Sequence, residues 1–400
     1  MLTSLIGKPN TGKSTFFNAA TMLNVPMANY PFTTVQPNFG VAYIRKSCIC
    51  KSLNVIDNPV NSLCIKGERF IPVKLLDIAG LVQGASTGRG LGNKFLDELR
   101  QSDALIQVVD CSGATDEEGR PCKEGSHDPL IDVEFVEREF DLWVKQILLK
   151  DWGRISRSAE SGGKLVPMIA ERLSGLSIRG SDIQKAILDL RLSVERPTLW
   201  NDTQIEELCG LIRKLSKPGL IVANKCDLPN TDMNIEKLKS SGRLVVPCAS
   251  EAELLLRRAA KKKLIEYIPG DKNFKILEPE KLSQEQIKAL KMVDEKVISR
   301  WGSTGVQDAI NKIYLDILEN IVVYPVEDES KLSDKKGNIL PDAKIVPKNT
   351  TARGLAYRMH TDLGETFLYA VDAKTGMRLG SEQVLKDQDI IKIVAVGKRG

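Results

Sequence analysis

Three short segments, with a threonine-bearing stretch between the first two, carry residues whose types and spacing suit a nucleoside triphosphate. Residues 7–14 read Gly-Lys-Pro-Asn-Thr-Gly-Lys-Ser, a G-x-x-x-x-G-K-[ST] pattern. In such a loop the glycines let backbone N–H groups wrap phosphate oxygens, the lysine adds a point charge and the hydroxyl can ligate Mg²⁺. The amides of Asn10, Thr11, Gly12, Lys13, Ser14 and Thr15 are the candidate cradle, with Lys13 on the β- and γ-phosphates. The second segment is Asp77-Ile-Ala-Gly80. Its carboxylate can hold the Mg²⁺ shell, and the Gly80 amide can reach the γ-phosphate because no Cβ obstructs the approach. Between these two lies Tyr30-Pro-Phe-Thr-Thr-Val-Gln-Pro37, where Thr34, in preference to Thr33, is the candidate Mg²⁺ ligand. The third segment is Asn224-Lys225-Cys226-Asp227. A carboxylate at Asp227 can accept from guanine N1–H and N2–H, a donor pair that adenine lacks. Asn224 can tie this loop to the phosphate loop, and the Lys225 stem can lie over the base.

These loops need strands and helices to hold them. Leu2–Ile6 is an apolar run ahead of the phosphate loop, and Ser14–Met22 reads as the helix behind it. Phe39–Ile44, Phe70–Leu76 and Ala104–Val109 read as further strands. Strands recurring with helices predict an α/β fold with a mostly parallel sheet, here a P-loop G domain. The rhythm then breaks. Asp132–Lys150 is a helix with Val133, Val136, Phe140, Trp143 and Ile147 on one face, and no strand signal follows until Gly219. Strands resume at Gly219–Ala223 and Arg243–Pro247. Helices are expected over Glu251–Ile265, Ser283–Arg300 and Val306–Asn320. From Ile321 a small α+β module begins, with strands at Ile321–Val326, Phe367–Val371 and Ile390–Val396 and a helix at Thr351–Thr361. The expected division is a G domain of residues 1–127, 216–250 and 304–320, a helical insertion over 128–215, a second helical segment over 251–303 and a C-terminal domain over 321–400.

The bulk properties narrow the class. The 400 residues are 42% hydrophobic and 27% charged, an ordinary globular balance without a membrane span or signal peptide. The net charge of +5 permits RNA contact without demanding it. None of the eight cysteines forms a C-x-x-C pair, so free thiols in a reducing cytoplasm are the expectation. Cys48, Cys50 and Cys64 could seat zinc only with a fourth ligand that the sequence does not point out. His127 reads as a solvated loop residue, and His360 is assigned no chemistry. Arg257, Arg258, Lys261, Lys262 and Lys263 read as a solvated helix end, with RNA contact as the alternative. Arg89, in a glycine-rich loop, is a weak candidate for an internal cation at the phosphates.

With these residues in hand, the chain resembles the Obg branch of the translation-factor-related GTPases, more narrowly the archaeal YchF-related group. The resemblance is carried by Gly7–Ser14, Asn29-Tyr-Pro-Phe-Thr-Thr34, Asp77-Ile-Ala-Gly-Leu-Val82, the glycines between Gly84 and Phe95, Asn224–Asp227 and a tail over Val322–Val396 similar to a TGS domain, a ubiquitin-like β-grasp module. It implies a slow GTP-hydrolysing switch that binds GTP and GDP with Mg²⁺, works in the cytoplasm as a monomer away from membranes, and partners a ribosomal subunit or RNA. Leu81 stands where many GTPases place a water-orienting Gln, so the chain resembles the hydrophobic-substituted members. Asn10 resembles the asparagine that helps hold K⁺ in potassium-activated members. GTPases ordinarily place Ser-Ala after the last core strand, so that a backbone N–H meets guanine O6. Here Ala249-Ser250 looks transposed, which leaves open which amide serves. YchF proper has an altered base-reading motif and prefers ATP, whereas the motif here is intact. An ATPase of that type and a non-catalytic nucleotide-gated scaffold are the alternatives.

Overall fold

The computed structural model describes residues 1–22, 38–78, 80 and 98–396. The readings on Thr33, Thr34, Leu81 and Arg89 lie outside the described residues. The strands in chain order are β1 (Leu2–Ile6), β2 (Phe39–Ser47), β3 (Leu63–Ile65), β4 (Glu68–Asp77), β5 (Ala104–Asp110), β6 (Gly219–Asn224) and β7 (Val245–Pro247). They form one sheet in the order β2-β4-β1-β5-β6-β7, with β3 antiparallel to β4 at its side. The pairs β1–β4, β1–β5, β5–β6 and β6–β7 are all parallel. Every residue of β1 and β5 is buried, the polar Thr3, Ser4, Gln107 and Asp110 included, as befits central parallel strands covered on both faces.

Two compact units divide the chain. Among the described residues, the first draws on Met1–Ala19, Asn38–Gly40 and those within 74–309, and the second on 20–22, Val41–Val73 and 310–396. In the first unit, helix α1 (Lys13–Thr21) follows the phosphate loop. The second helix in chain order, α2 (Cys50–Leu53), belongs to the other unit. Helix α3 (Pro129–Glu160) opens an all-helical insertion and outruns the expected Asp132–Lys150 at both ends. Pro129 at its first position and the Asp128 side chain, which accepts from the Leu130 amide at 3.0 Å, set its start. Its buried face runs on through Val144, Leu148, Trp152 and Ile155. Helices α4 (Leu165–Arg172), α5 (Gly180–Asp189) and α6 (Asp202–Ser216) pack against it, and Trp152 stacks on Trp200 with centroids 5.2 Å apart. Helix α7 (Thr231–Ser240) and helix α8 (Ser250–Lys261) flank β7 in sequence. The short strands β8 (Ile265–Glu266) and β9 (Lys275–Ile276) and helix α9 (Gln284–Val293) follow. The expected long helix over Ser283–Arg300 instead changes to a π-helical turn at Asp294–Ile298 and ends at Gly302, whose φ of 82° only glycine adopts cheaply. Helix α10 (Val306–Asn311) likewise passes into a π-turn at Lys312–Ile317.

The second unit is built on a five-stranded sheet of β10 (Asn320–Val326), β11 (Lys344–Pro347), β12 (Phe367–Asp372), β13 (Arg378–Leu379) and β14 (Ile390–Ala395), ordered β11-β10-β14-β12-β13. Its central pair, β10 and β14, is parallel, and helix α11 (Ala352–Met359) covers one face. All seven residues of β10 are buried, but on two sides. Ile321 and Val323 point to the helix side, while Val322, Tyr324 and Val326 pack against Cys48, Ile49, Cys50 and Ile71. Residues 41–73 therefore cluster with the C-terminal module, while their strands β2, β3 and β4 stay in the sheet of the G domain. The period-2 pattern of β10 is the reason: its second apolar face needs a cover, and the β2–β4 hairpin supplies it. Lys46 ion-pairs with Asp387 at 2.5 Å, and the Arg45 amide donates to the Asn311 side chain at 2.9 Å.

Candidate functional site

The phosphate loop leaves β1 at Gly7. A Cβ there would sit 2.4 Å from the Val108 carbonyl on the adjacent strand, so only glycine turns the chain this sharply. At Gly12, with φ of 92°, a Cβ would meet the Asn224 amide nitrogen at 2.2 Å. That close approach is structural: Asn224 Nδ2 donates to the Thr11 carbonyl at 2.8 Å and welds the base loop to the phosphate loop. Thr11 is itself buried, its hydroxyl donating to the Lys8 carbonyl at 3.2 Å.

Lys13 reaches back across this loop, its Nζ donating to the Lys8 carbonyl at 2.8 Å. Burial lowers its pKa to about 8, and the nearby Asp77 carboxylate opposes that shift. Ser14 Oγ donates to Asp77 Oδ2 at 2.9 Å. Burial raises the Asp77 pKa, against the Ser14 hydrogen bond and the Lys13 charge. Its second oxygen, Oδ1, is buried and has no hydrogen-bond partner among the described residues. A carboxylate with one orphaned oxygen beside a serine hydroxyl fits a hard divalent cation, which takes oxygen ligands. Gly80 lies against Pro9 of the phosphate loop, where a Cβ would come within 2.9 Å. Asn10 is exposed with φ of 62°, and its Nδ2 donates to the Gly119 carbonyl at 2.8 Å. Thr15 follows on α1.

At the base end, Asn224 Oδ1 accepts from the Ser250 amide at 3.1 Å and the Ser250 hydroxyl at 2.8 Å. The Ala249 amide donates to the Thr304 carbonyl at 2.9 Å. The expectation that Ala249 or Ser250 offers its N–H to guanine O6 is therefore corrected, because protein acceptors hold both amides. Ser250 is the serine that anchors Asn224, and no transposition is needed. The Lys225 ammonium pairs with Asp110 Oδ2 at 2.7 Å. Asp110 is buried at the end of β5 and accepts from Ser112 and from the Thr115 hydroxyl at 3.1 Å. Asp227 is half-buried.

A second layer lies beneath the phosphate loop that no motif or spacing announces. Lys8, 1% exposed, donates to the Thr115 carbonyl at 2.8 Å and pairs with Asp132 of α3 at 2.7 Å. His127 meets the other Asp132 oxygen at 2.7 Å and is largely buried, so it is not the solvated loop residue expected. Burial raises the Asp132 pKa even with these partners. Likewise Arg257 leaves the basic run: it is buried on Glu253, which also accepts from Tyr267 and Thr304. Arg258, Lys261, Lys262 and Lys263 remain exposed. The Lys8–Asp132 pair has no periodicity or spacing that could have revealed it, whereas Arg257 and Glu253 stand at the i,i+4 spacing of one helix.

A hydroxyl facing a half-satisfied carboxylate, and an asparagine bridging two loops at the C-terminal edge of a parallel sheet, define a P-loop nucleotide-binding protein of the GTPase class. Comparison with known proteins agrees. Residues 3–134 match the family described as 50S ribosome-binding GTPase, residues 222–328 the Obg-like GTPase YGR210-like G4 motif-containing domain, and residues 336–395 the TGS domain. A GTP-binding protein of Methanocaldococcus jannaschii is 49% identical over 396 residues, covering 98% of this chain and 99% of its own. A crystal structure of a GTP binding protein from Pyrococcus horikoshii is 40% identical, with a TM-score of 0.77 and coverage of 99% and 100%. The ribosome-binding ATPase YchF of Mycoplasma pneumoniae is 34% identical over 236 residues, 58% of this chain and 59% of that protein. The chain belongs to the YchF-related group of Obg-family GTPases that carry a C-terminal TGS domain.

Proposed function

We propose that this protein binds GTP with Mg²⁺ and hydrolyses it slowly to GDP and phosphate, as a switch that acts on a ribosomal subunit or ribosomal RNA. The observation that carries the reading is the Asn224 bridge: one side chain joins the Thr11 carbonyl of the phosphate loop to Ser250 of the base loop. A triphosphate lying on the phosphate loop would thus present its base to Asp227. Ser14, Asp77 and Thr34 are assigned to Mg²⁺, which offsets charge on the β- and γ-phosphates when bound. The amides of residues 10–15 and the Lys13 ammonium hold phosphate, and Gly80 senses the γ-phosphate. With Ala249 and Ser250 committed elsewhere, the Glu251 amide, next in the first turn of α8, is assigned to guanine O6.

Leu81 can neither donate nor accept a hydrogen bond, so intrinsic turnover is slow. A K⁺ held by Asn10 would compensate. Its Nδ2 is fixed on Gly119, which leaves Oδ1 as the ligand atom. Some relatives are named ribosome-binding ATPases, but the intact Asn-Lys-Cys-Asp motif favours guanine here. Single-turnover hydrolysis tests the reading. The wild type is expected to cleave GTP faster in K⁺ than in Na⁺, Lys13→Ala to lose about 100-fold or more, and Asn10→Ala to abolish the salt difference. Absence of turnover with and without ribosomes would support a non-catalytic scaffold instead.

A further inference from the structure

Cys48, Cys50 and Cys64 do find a fourth partner. Asp57 lies nine residues beyond Cys48, in the irregular stretch after α2, and the four candidate ligand atoms lie within 4.8 Å of one another. Each comes from a different piece of local structure. Cys48 directly follows β2, its amide donating to the Gly67 carbonyl at 2.9 Å, and Cys50 opens α2. Cys64 stands on β3 opposite Arg69 of β4. Asp57 is held by Arg69, whose Nη1 donates to Asp57 Oδ2 at 2.7 Å.

We propose that Cys48, Cys50, Cys64 and Asp57 form a structural zinc site. Two edges that together use all four ligands test the geometry. Cys48 Sγ lies 3.3 Å from Asp57 Oδ2, and Cys50 Sγ lies 3.9 Å from Cys64 Sγ. A tetrahedral zinc with sulfur at about 2.3 Å and carboxylate oxygen at about 2.0 Å requires edges of about 3.5 Å and 3.8 Å respectively. Three thiolates and one carboxylate favour a borderline-soft ion over Mg²⁺ or Ca²⁺. Four protein ligands leave no open position, which marks a structural rather than a catalytic centre. The surroundings supply charge balance. Arg69 is fully buried, its second nitrogen donating to the Leu340 carbonyl at 2.6 Å. One guanidinium would offset part of the net negative charge that a zinc with four anionic ligands retains, and it orients Asp57 as an outer partner does. All the cysteines are free thiols, so no disulfide competes for these sulfurs.

The site sits inside the cluster that joins the β2–β4 hairpin to the C-terminal module, among Ile49, Ile71, Val322 and Leu340. Zinc there would fasten the hairpin onto β10. The test uses the full-length chain, grown in zinc-supplemented medium and purified under reducing conditions without chelator. Mass spectrometry of the metal content is expected to give about one zinc per chain. Cys64→Ser should fall to about a fifth of that or less, and Cys122→Ser should match the wild type. Cobalt exchanged into the wild type should give thiolate-to-metal charge transfer and the intense d–d bands of tetrahedral coordination. Chelator should lower the thermal midpoint of the wild type but not of Cys64→Ser. If Cys64→Ser does not fold, the cobalt spectrum of the wild type decides. Wild-type protein that carries no zinc after this purification, or cobalt bands lacking thiolate charge transfer, would overturn the proposal.

Discussion

At the scale of single residues, the site is prepared for anionic phosphate at some cost to itself. Lys13 is buried against a backbone carbonyl, and its pKa falls to about 8. In the nucleotide-free protein the charged form is disfavoured, so it detracts from stability below about pH 8, and this penalty fades as pH rises toward the ordinary lysine value of 10.5. Triphosphate binding restores the charge. The affinity difference between wild type and Lys13→Met should therefore be flat below about pH 7.5 and shrink about tenfold by pH 9, where the free lysine is mostly neutral. Calorimetric titration across that range checks it, and comparison with Lys13→Met removes the titration of guanine itself. A difference unchanged at pH 9 would mean that Lys13 does not contact phosphate. Asp77, raised by burial, works in the opposite sense: as pH falls it protonates before an ordinary aspartate, and if it holds Mg²⁺ as proposed, Mg²⁺ affinity should fall with it.

At the scale of elements, the phosphate loop does not stand on its strand alone. The Lys8–Asp132 pair fastens it to the first turn of α3, so the helical insertion begins directly beneath the nucleotide loop. Lys8→Met would leave a buried carboxylate without its cation and should destabilise the nucleotide-free protein by about 3–5 kcal/mol. Replacing both partners, as Lys8→Met with Asp132→Leu, should recover most of that loss, because the unpaired charge rather than the missing bond dominates. Urea unfolding of the three variants measures the difference; equal losses in the single and double variants would refute the coupling. The elements themselves were largely legible. β1, β5 and β6 show as apolar runs, and Val133, Val136 and Phe140 give the helical repeat of α3. The π-turns after Val293 and Asn311 were not, since helix periodicity does not distinguish a widened turn. Nor were Lys8, His127, Asp110 and Asp57, whose partners lie on other elements and follow no local spacing.

At the scale of the whole molecule, the chain combines a nucleotide-reading unit with a TGS-containing unit that also takes in the β2–β4 hairpin. Arg258, Lys261, Lys262 and Lys263 form an exposed basic turn at the end of α8. If the GTP-bound form engages ribosomal RNA through such surfaces, it should co-migrate with a ribosomal subunit in a sucrose gradient more strongly with a GTP analogue than with GDP. Raising salt should weaken the association steeply. The phosphate-loop and Asn-Lys-Cys-Asp motifs could be read in the sequence because each is local; that the Ala249 and Ser250 amides are held by Thr304 and Asn224 could not, because those partners are distant in the chain. The claim beneath all of this is that Asp227 reads a guanine base. Equilibrium titration of nucleotide-free protein with GTP, ATP and XTP, for wild type and Asp227→Asn, tests it most directly. Wild type should prefer GTP over ATP by about 100-fold or more, and Asp227→Asn should lose GTP and gain XTP. Equal wild-type affinities for GTP and ATP, or an Asp227→Asn variant that still binds GTP like the wild type, would contradict it.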